Sequence, residues 1–247
     1  MSERLPAGDP ARTAERLARS LAEQGARAVA LVGSWATGEA TAESDLDLAV
    51  VGEGPHYRLE AHDGLLVSLG WAPAEEQRRR LYDPASLATH VPGWRQAVPI
   101  HDPERVAAEI KREALAWRWE LVAESCDRWV AESLTGYAEE VRKLEAALLR
   151  GERTKAAVQR SVLALRLPAL LAVHRRILYG SENRLWSLVA RELGSEWDDA
   201  QSAALGLGGE SLESSCEAAV RLFRLAVDEL RPLLDRHQLA VVDQILR

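Results

Sequence analysis

The feature that most constrains this chain is a short polar stretch between two apolar runs. The first run, Ala28 to Val32, predicts a buried strand that stops at Gly33. The second run, Leu46 to Val51, predicts another strand. Because strand side chains alternate between faces, Asp45 and Asp47 share one face of it. The sequence therefore places two carboxylates side by side, just downstream of a Gly-Ser turn.

These residue types suit metal and nucleotide chemistry. Two carboxylates on one strand face repel each other unless a cation lies between them. Mg²⁺ is the natural cation, because it takes oxygen ligands and bridges carboxylates to phosphates. Gly33 and Ser34 add backbone N–H groups and a hydroxyl where a bulkier residue would block a phosphate. Asp-Leu-Asp alone is equally typical of a solvated strand face, and Gly-Ser alone is typical of a simple turn, but their joint spacing is far more specific.

Composition excludes several classes of protein. The chain has 247 residues, of which 47% are apolar, enough for one large domain or two small ones. The net charge of −7 argues against a nucleic-acid partner that is held by a basic surface. Cys126 and Cys216 match no metal or redox spacing, and we interpret them as reduced thiols of a cytoplasmic protein. Residues 1–10 lack an apolar signal-peptide core, and no window approaches about 18 consecutive apolar residues, so we expect no membrane partner.

The order of the predicted elements indicates two domains. In the first part, Asp9-Pro10 predicts a helix start, and Asp63-Gly64 predicts a hairpin turn. Residues 1–108 are therefore predicted to form a mixed sheet flanked by helices. Residues 109–247 are predicted to form an all-helical bundle, which gives an α+β chain overall.

Two details of these predictions concern proline. Pro99 lies in the last predicted strand and indicates an edge position, because proline cannot donate a ladder hydrogen bond. In the helical part, Lys155 to Tyr179 predicts one long apolar helix, with Pro168 as a kink and Gly180 as its end.

The polar stretch resembles the signature of the polymerase-β-type nucleotidyltransferases: Gly-Ser, ten residues, then Asp-x-Asp, with Gly38 and Ser44 between. Within that superfamily the chain is most similar to the aminoglycoside (kanamycin-type) nucleotidyltransferases, weakly and almost to its C-terminus. The resemblance implies transfer of AMP from ATP, or of another nucleotide, to a hydroxyl of a small molecule, with Mg²⁺ as cofactor. It also implies a nucleotidyltransferase domain, a helical substrate-binding domain and a homodimer. The metal ligands and nucleotide-binding residues that it implies here are Asp45, Asp47, Gly33, Ser34 and Ser44.

A second part of the resemblance lies in the helical region. The kanamycin-type family has a catalytic Glu four residues before a nucleotide-binding Lys, upstream of a His-rich stretch that ends in Tyr. Glu139 and Lys143 have that spacing, and residues 174–179 resemble the later stretch. Such a pair shares one helix face, where the Glu can take a proton from a hydroxyl and the Lys can contact a phosphate. A surface salt bridge has the same spacing, and Glu140 is an alternative base.

The chain departs from the family at one position. The family has a third carboxylate on the next strand of the sheet, and the matching triplet here is Val67-Ser68-Leu69. Ser68 brings a hydroxyl but no charge. Its presence is compatible with weaker metal binding, with an acid supplied by Glu60 or Asp63, or with a domain that binds nucleotide without turnover.

Two other functions therefore stay open beside the small-molecule enzyme. One is a protein-modifying, antitoxin-type nucleotidyltransferase, which shares the N-terminal motif but usually lacks a long helical second domain. The other is a catalytically weakened nucleotide-binding protein, which is motivated by Ser68.

Overall fold

The computed structural model describes residues 9–247. Most of residues 1–10, on which the prediction of no signal peptide rests, lie outside the described residues. The chain divides into two compact units, Met1–Leu121 (the N-terminal unit) and Val122–Arg247 (the C-terminal unit). The boundary after residue 108 stays a prediction; the helix Val106–Ala116, which contains this position, packs against the strand Ala28–Val32 and against helices of the N-terminal unit. That packing keeps the whole helix with the sheet.

A mixed sheet organises the N-terminal unit. Its strands are β1 (Ala28–Val32), β2 (Leu46–Val51), β3 (Tyr57–His62), β4 (Leu65–Ala72) and β5 (Val98–His101). Within the described residues these five strands are ordered β3-β4-β2-β1-β5. β2 and β4 pair in parallel, and the other neighbours pair antiparallel. The predicted mixed sheet is confirmed, and β5, which contains Pro99, lies at an edge as predicted.

Helices cover the sheet of this unit. They are α1 (Pro10–Glu23), α2 (Gly33–Thr37), α3 (Ala74–Arg80), α4 (Leu87–Gln96) and α5 (Val106–Ala116). As predicted, α1 begins at Pro10, where the Asp9 carboxylate accepts a hydrogen bond of 3.0 Å from the Ala11 N–H. Leu17 and Leu21 of α1 belong to one apolar core with Leu46 and Leu48 of β2. Because side chains alternate, β2 turns Asp47 to the opposite face.

Helix α4 of this unit is not predicted from the sequence. Pro92 and Gly93 lie inside α4, and both residue types usually interrupt a helix. The helix forms because its apolar side chains bury one continuous face, which outweighs the lost hydrogen bond. The buried residues are Leu87, Ala88, Val91 and Trp94.

The C-terminal unit is helical, as predicted. Its helices are α6 (Ala123–Leu149), α7 (Arg153–His174), α8 (Glu182–Leu193), α9 (Ser195–Leu205), α10 (Leu212–Leu230) and α11 (Arg236–Ile245). Residues 122–247, all of which the structure describes, contain no strand. The sequence pattern did not predict α11.

The predicted helix from Lys155 to Tyr179 is wrong at its end, because α7 stops at His174. Arg176 has a φ of +58°, and the Ile177 N–H donates a 2.8 Å hydrogen bond to the Ala172 carbonyl. This is the hydrogen-bond pattern of a Schellman motif, which ends the helix before Gly180 is reached.

Helix α7 is long and apolar enough to cross a membrane by length and composition alone. Half of its most apolar window is buried inside the structure. It packs against α6 and α10, with four leucines among its most buried residues: Leu163, Leu167, Leu170 and Leu171. These contacts are those of a core helix of the C-terminal unit.

Candidate active site

The polar motif folds tightly around the end of β1. Val32, the last residue of β1, pairs with Asp47 on β2, and α2 follows at once. Gly33 has a φ of +68°, and a Cβ at this position would lie 2.3 Å from the Asp47 Oδ2 atom. Position 33 therefore requires glycine for two reasons: the positive φ of the backbone and the close approach to the Asp47 carboxylate.

The predicted Gly-Ser turn is the first turn of the short helix α2. Gly38 ends this helix with a φ of +77°, and its N–H donates to the Ser34 carbonyl. Among the described residues the Ser34 hydroxyl has no hydrogen-bond partner, so it is available to a ligand. Trp35 packs against the apolar core beside α1 and ties α2 to it. Sequence reasoning did not single out Trp35, although an apolar ring inside a polar turn was a signal for such an anchor.

Asp45 and Asp47 lie where the alternation predicts, Asp45 just before β2 and Asp47 within it. The pKa of Asp47 is raised to about 6, first because burial disfavours its charged form and second because Asp45 repels it. The Ser68 hydroxyl acts in the opposite direction and lowers this pKa. The surroundings of Asp47 thus disfavour its ionised form.

Ser68 lies directly beside Asp47. The two residues are partners in the parallel pairing of β2 and β4, so their side chains share one face of the sheet. This is the position that the Val67-Ser68-Leu69 triplet indicates for the family's third carboxylate. The hydroxyl of Ser68 therefore stands where that acid would be expected.

Neither alternative acid lies on this face. Glu60 is the partner of the buried Val67, and its carboxylate contacts Arg58 and, at 2.6 Å, His62. Asp63 lies in the hairpin turn, where it pairs with Arg16 of α1 at 2.5 Å. The structure thus does not bring either carboxylate beside Asp47.

Ser44 has a structural role in the loop before β2. Its hydroxyl accepts a 2.9 Å hydrogen bond from the Thr41 N–H, and its own N–H donates to the Thr41 carbonyl. These bonds fix the turn that leads into Asp45. The predicted contact of Ser44 with a nucleotide stays a prediction.

A groove of about 640 Å³ lies along α1, away from the motif. It is lined by charged residues that include Arg12, Arg16 and Asp63, and no residue of the Gly33-to-Asp47 motif borders it. Arg12 and Arg16 are already paired with Asp9 and Asp63. The groove therefore adds nothing to the candidate site.

Glu139 and Lys143 lie on α6 of the C-terminal unit. The Lys143 Nζ atom is 3.0 Å from Glu139 Oε1 and 3.1 Å from Glu140 Oε1. These two carboxylates raise the pKa of Lys143, Glu139 first. Glu139 and Lys143 thus share one face of α6, and their side chains form an ion pair. Glu139 is the more open of the two acids, with 71% of its side chain exposed against 21% for Glu140.

The His174-to-Tyr179 stretch lies at the end of α7, in the same unit. The His174 Nε2 atom is 3.0 Å from Glu229 of α10, and Arg175 contacts the same carboxylate at 2.7 Å. Arg176 pairs with Asp127 of α6 at 2.6 Å. These ion pairs join α7 to α10 and α6, so the stretch fixes helix packing within the C-terminal unit.

The segment that contains this site matches a known protein family. Residues 14–123 match the family model described as the nucleotidyltransferase domain. The N-terminal region is a nucleotidyltransferase domain. The matched segment contains the whole Gly33-to-Asp47 motif together with Ser68. Domains of this family generally use a nucleoside triphosphate and a divalent metal, so nucleotide transfer is the general activity that the match supports.

A solved structure extends the likeness in fold. The chain is similar to a nucleotidyltransferase-like protein from Exiguobacterium sibiricum 255-15, with a TM-score of 0.50 and 16% sequence identity. The similarity covers 95% of this chain and 77% of that chain. At this identity it concerns the fold alone. No match was found among curated proteins.

Proposed function

We propose that the protein is a Mg²⁺-dependent adenylyltransferase that transfers AMP from ATP to a hydroxyl of a small, aminoglycoside-like molecule. One observation carries this proposal: Gly33 passes directly over the Asp47 carboxylate, inside a nucleotidyltransferase domain. The close approach brings a phosphate-binding turn and a metal-binding acid to the same point of the sheet.

The residues present fit a divalent cation. Asp47 is partly buried, and both burial and Asp45 disfavour its ionised form. A cation held by Asp45 and Asp47 would relieve both effects, since it supplies the missing positive charge. When bound, such a cation would polarise the α-phosphate and stabilise the leaving pyrophosphate.

The remaining roles are proposed for the residues that the resemblance implies. The backbone of Gly33 and the free hydroxyl of Ser34 bind the phosphates, and Ser44 supports the nucleotide through the loop that it fixes. Lys143 contacts a phosphate. Glu139 takes the proton from the acceptor hydroxyl, whose oxygen bonds to the α-phosphorus as the bond to pyrophosphate breaks.

Glu139 is favoured over Glu140 as the base by its exposure. A general base must be within hydrogen-bond reach of the acceptor hydroxyl, and the Glu139 carboxylate is the more accessible one. Glu140, whose carboxylate is 3.1 Å from the Lys143 Nζ atom, would position Lys143.

The proposed partners follow from the same account. The acceptor is a small molecule with a free hydroxyl, and the net charge of −7 suits a cationic one such as an amino sugar. We propose a cytoplasmic homodimer that has neither a nucleic acid nor a membrane as partner.

The test is release of pyrophosphate from ATP, measured with and without Mg²⁺ and with a panel of hydroxyl compounds. The proposal expects release that requires both Mg²⁺ and one class of acceptor. Nucleotide binding without release across the panel would favour the catalytically weakened nucleotide-binding protein. Transfer of the nucleotide to a co-purified protein would favour the antitoxin-type enzyme.

A further inference from the structure

The face of the sheet around Asp47 offers few oxygen ligands. We infer that the site holds a single divalent cation, which binds together with the nucleotide, and not the pair of cations that a third carboxylate would support. This inference rests on the proposed function and specifies the metal content of the same site.

The first support is the set of side chains next to Asp47. Its strand partners are Val32 on β1 and Ser68 on β4, and the partner of Ser68 on β3 is Leu59. Cross-strand partners share a face, so the row that crosses the sheet at Asp47 contains one carboxylate, one hydroxyl and two apolar side chains. Asp45, which lies just before β2, adds the second carboxylate.

The second support is that other acids do not complete the set. Glu60 faces the buried side with Val67, and Asp63 is engaged by Arg16. Across residues 9–247, no group of three or more His, Cys, Asp or Glu side chains is placed to hold a metal ion. Among the described residues, this face of the sheet therefore contributes Asp45 and Asp47 as its acids.

The number of cations that two carboxylates and one hydroxyl can hold follows from the coordination preferences of Mg²⁺. Mg²⁺ prefers about six oxygen ligands, and one or two carboxylates hold it only when substrate phosphates and waters supply the others. Two-cation sites use carboxylates on both ions, about 3.5–4 Å apart. A pair of acids beside a serine satisfies the first arrangement and not the second.

The inference also fits the proposal of a protein side chain as the base. With no second cation to activate the acceptor hydroxyl, its proton must pass to a protein group. Glu139 is the group that we propose for this role.

The test counts bound Mn²⁺ by electron paramagnetic resonance, with the full-length protein and one equivalent of a non-hydrolysable ATP analogue. We expect one Mn²⁺ per protein–analogue complex, and at least about tenfold weaker Mn²⁺ binding when the analogue is omitted. Two Mn²⁺ per complex in the unchanged protein would overturn the inference, as would equally tight binding without the analogue.

Two variants test whether Ser68 limits the number of bound Mn²⁺ ions. Ser68→Asp adds a carboxylate beside Asp47 and is expected to add a second bound Mn²⁺. Tyr57→Asp adds the same charge on the same face of the sheet, beside Gly70 on the edge strand β3, at a residue that is 56% exposed, and is expected to leave the count at one. A second Mn²⁺ in both variants would show a general charge effect and would contradict the assignment of Ser68. Circular dichroism checks the fold of each variant.

The outcome is separable from that of the proposed function. Failure of the analogue to bind, measured by equilibrium dialysis in the presence of Mn²⁺, would overturn both the function and the cation count. Tight binding of the analogue with two cations would overturn the count alone and leave the adenylyltransferase proposal standing.

Discussion

At the scale of single residues, the site depends on the contact between Gly33 and Asp47. Gly33→Ala puts a Cβ 2.3 Å from Asp47 Oδ2 at a φ of +68°. We expect a loss of about 1–3 kcal/mol in the free energy of unfolding, together with loss of Mg²⁺-nucleotide binding. Thermal unfolding with and without the Mg²⁺ complex of the ATP analogue measures both effects.

The matched control for this variant is Gly38→Ala. Gly38 has a similar φ of +77°, but a Cβ there meets no atom within 4 Å. The backbone cost should be of the same order, while nucleotide binding is retained. Equal loss of binding in the two variants would show that the close approach to Asp47 is unimportant.

The raised pKa of Asp47 predicts a cost in stability that depends on pH. The folded pKa of about 6 lies above the ordinary value of 3.8 for an aspartate side chain, so the ionised group destabilises the fold above pH 6. This cost declines as the pH falls from 6 and is absent below 3.8. Without metal, Asp47→Asn should therefore have a higher melting temperature than the unchanged protein at pH 8, and the difference should vanish near pH 3.5.

Two controls accompany this comparison. Burial lowers the pKa of His90 to about 4, but this residue is the same in both proteins, so its effect cancels in the difference. Added Mg²⁺ and ATP analogue should reverse the order at pH 8, because only the unchanged protein retains the Asp47 carboxylate as a ligand. A pH-independent difference would mean that Asp47 does not titrate as described.

Much of the site at this scale could be predicted from the sequence. The alternation of strand side chains placed Asp45 and Asp47, and the Val67-Ser68-Leu69 triplet located Ser68. The use of Ser44 in its own loop could not be predicted, because a serine hydroxyl forms such local bonds only when the loop geometry allows them. The face of the sheet on which the Glu60 side chain lies could not be predicted either, because it depends on the register between β3 and β4.

At the scale of elements, the five-residue helix α2 is too short to be stable by itself. Its position depends on Trp35, which packs against the core and whose indole N–H has no partner among the described residues. Trp35→Ala should lower the free energy of unfolding by about 3 kcal/mol and weaken binding of the ATP analogue.

The control is Trp35→Phe, which keeps an aromatic ring and removes an N–H that makes no hydrogen bond. We expect it to bind the analogue nearly as well as the unchanged protein. Calorimetric titration with the analogue and Mg²⁺ measures both variants. Unchanged binding in Trp35→Ala would mean that α2 is positioned by other contacts.

Elements with a strong local signal were predicted, and those that tertiary packing decides were not. Asp63-Gly64 gave the hairpin of β3 and β4, with Asp63 at a φ of +52°. Helix α4 was missed because burial of its apolar face overrides Pro92. Helix α7 was extended too far because Arg176 adopts a backbone conformation that usually requires glycine.

At the scale of the whole molecule, binding and turnover are assigned to different parts of the chain. Glu139→Gln should bind the Mg²⁺-nucleotide normally and lose about 10²- to 10⁴-fold in transfer rate, because it removes only the proton acceptor. Glu140→Gln, on the same turn of α6, should lose less. Steady-state kinetics with the identified acceptor measure both, and a larger loss in Glu140→Gln would make Glu140 the base.

The division into a sheet unit and a helical unit was predicted from the change of pattern near Asp102. The boundary after residue 108 stays a prediction, because the pattern of α5 is that of a helix and does not indicate what the helix packs against.

The most direct test of the account is transfer of the α-phosphate of ATP. Incubation of the protein with α-³²P-labelled ATP, Mg²⁺ and the acceptor panel should label one class of hydroxyl compound. Asp47→Asn should leave that compound unlabelled, while γ-³²P-labelled ATP should leave its label in pyrophosphate. Equal labelling by the unchanged protein and by Asp47→Asn would contradict the role of Asp47 and with it the central claim.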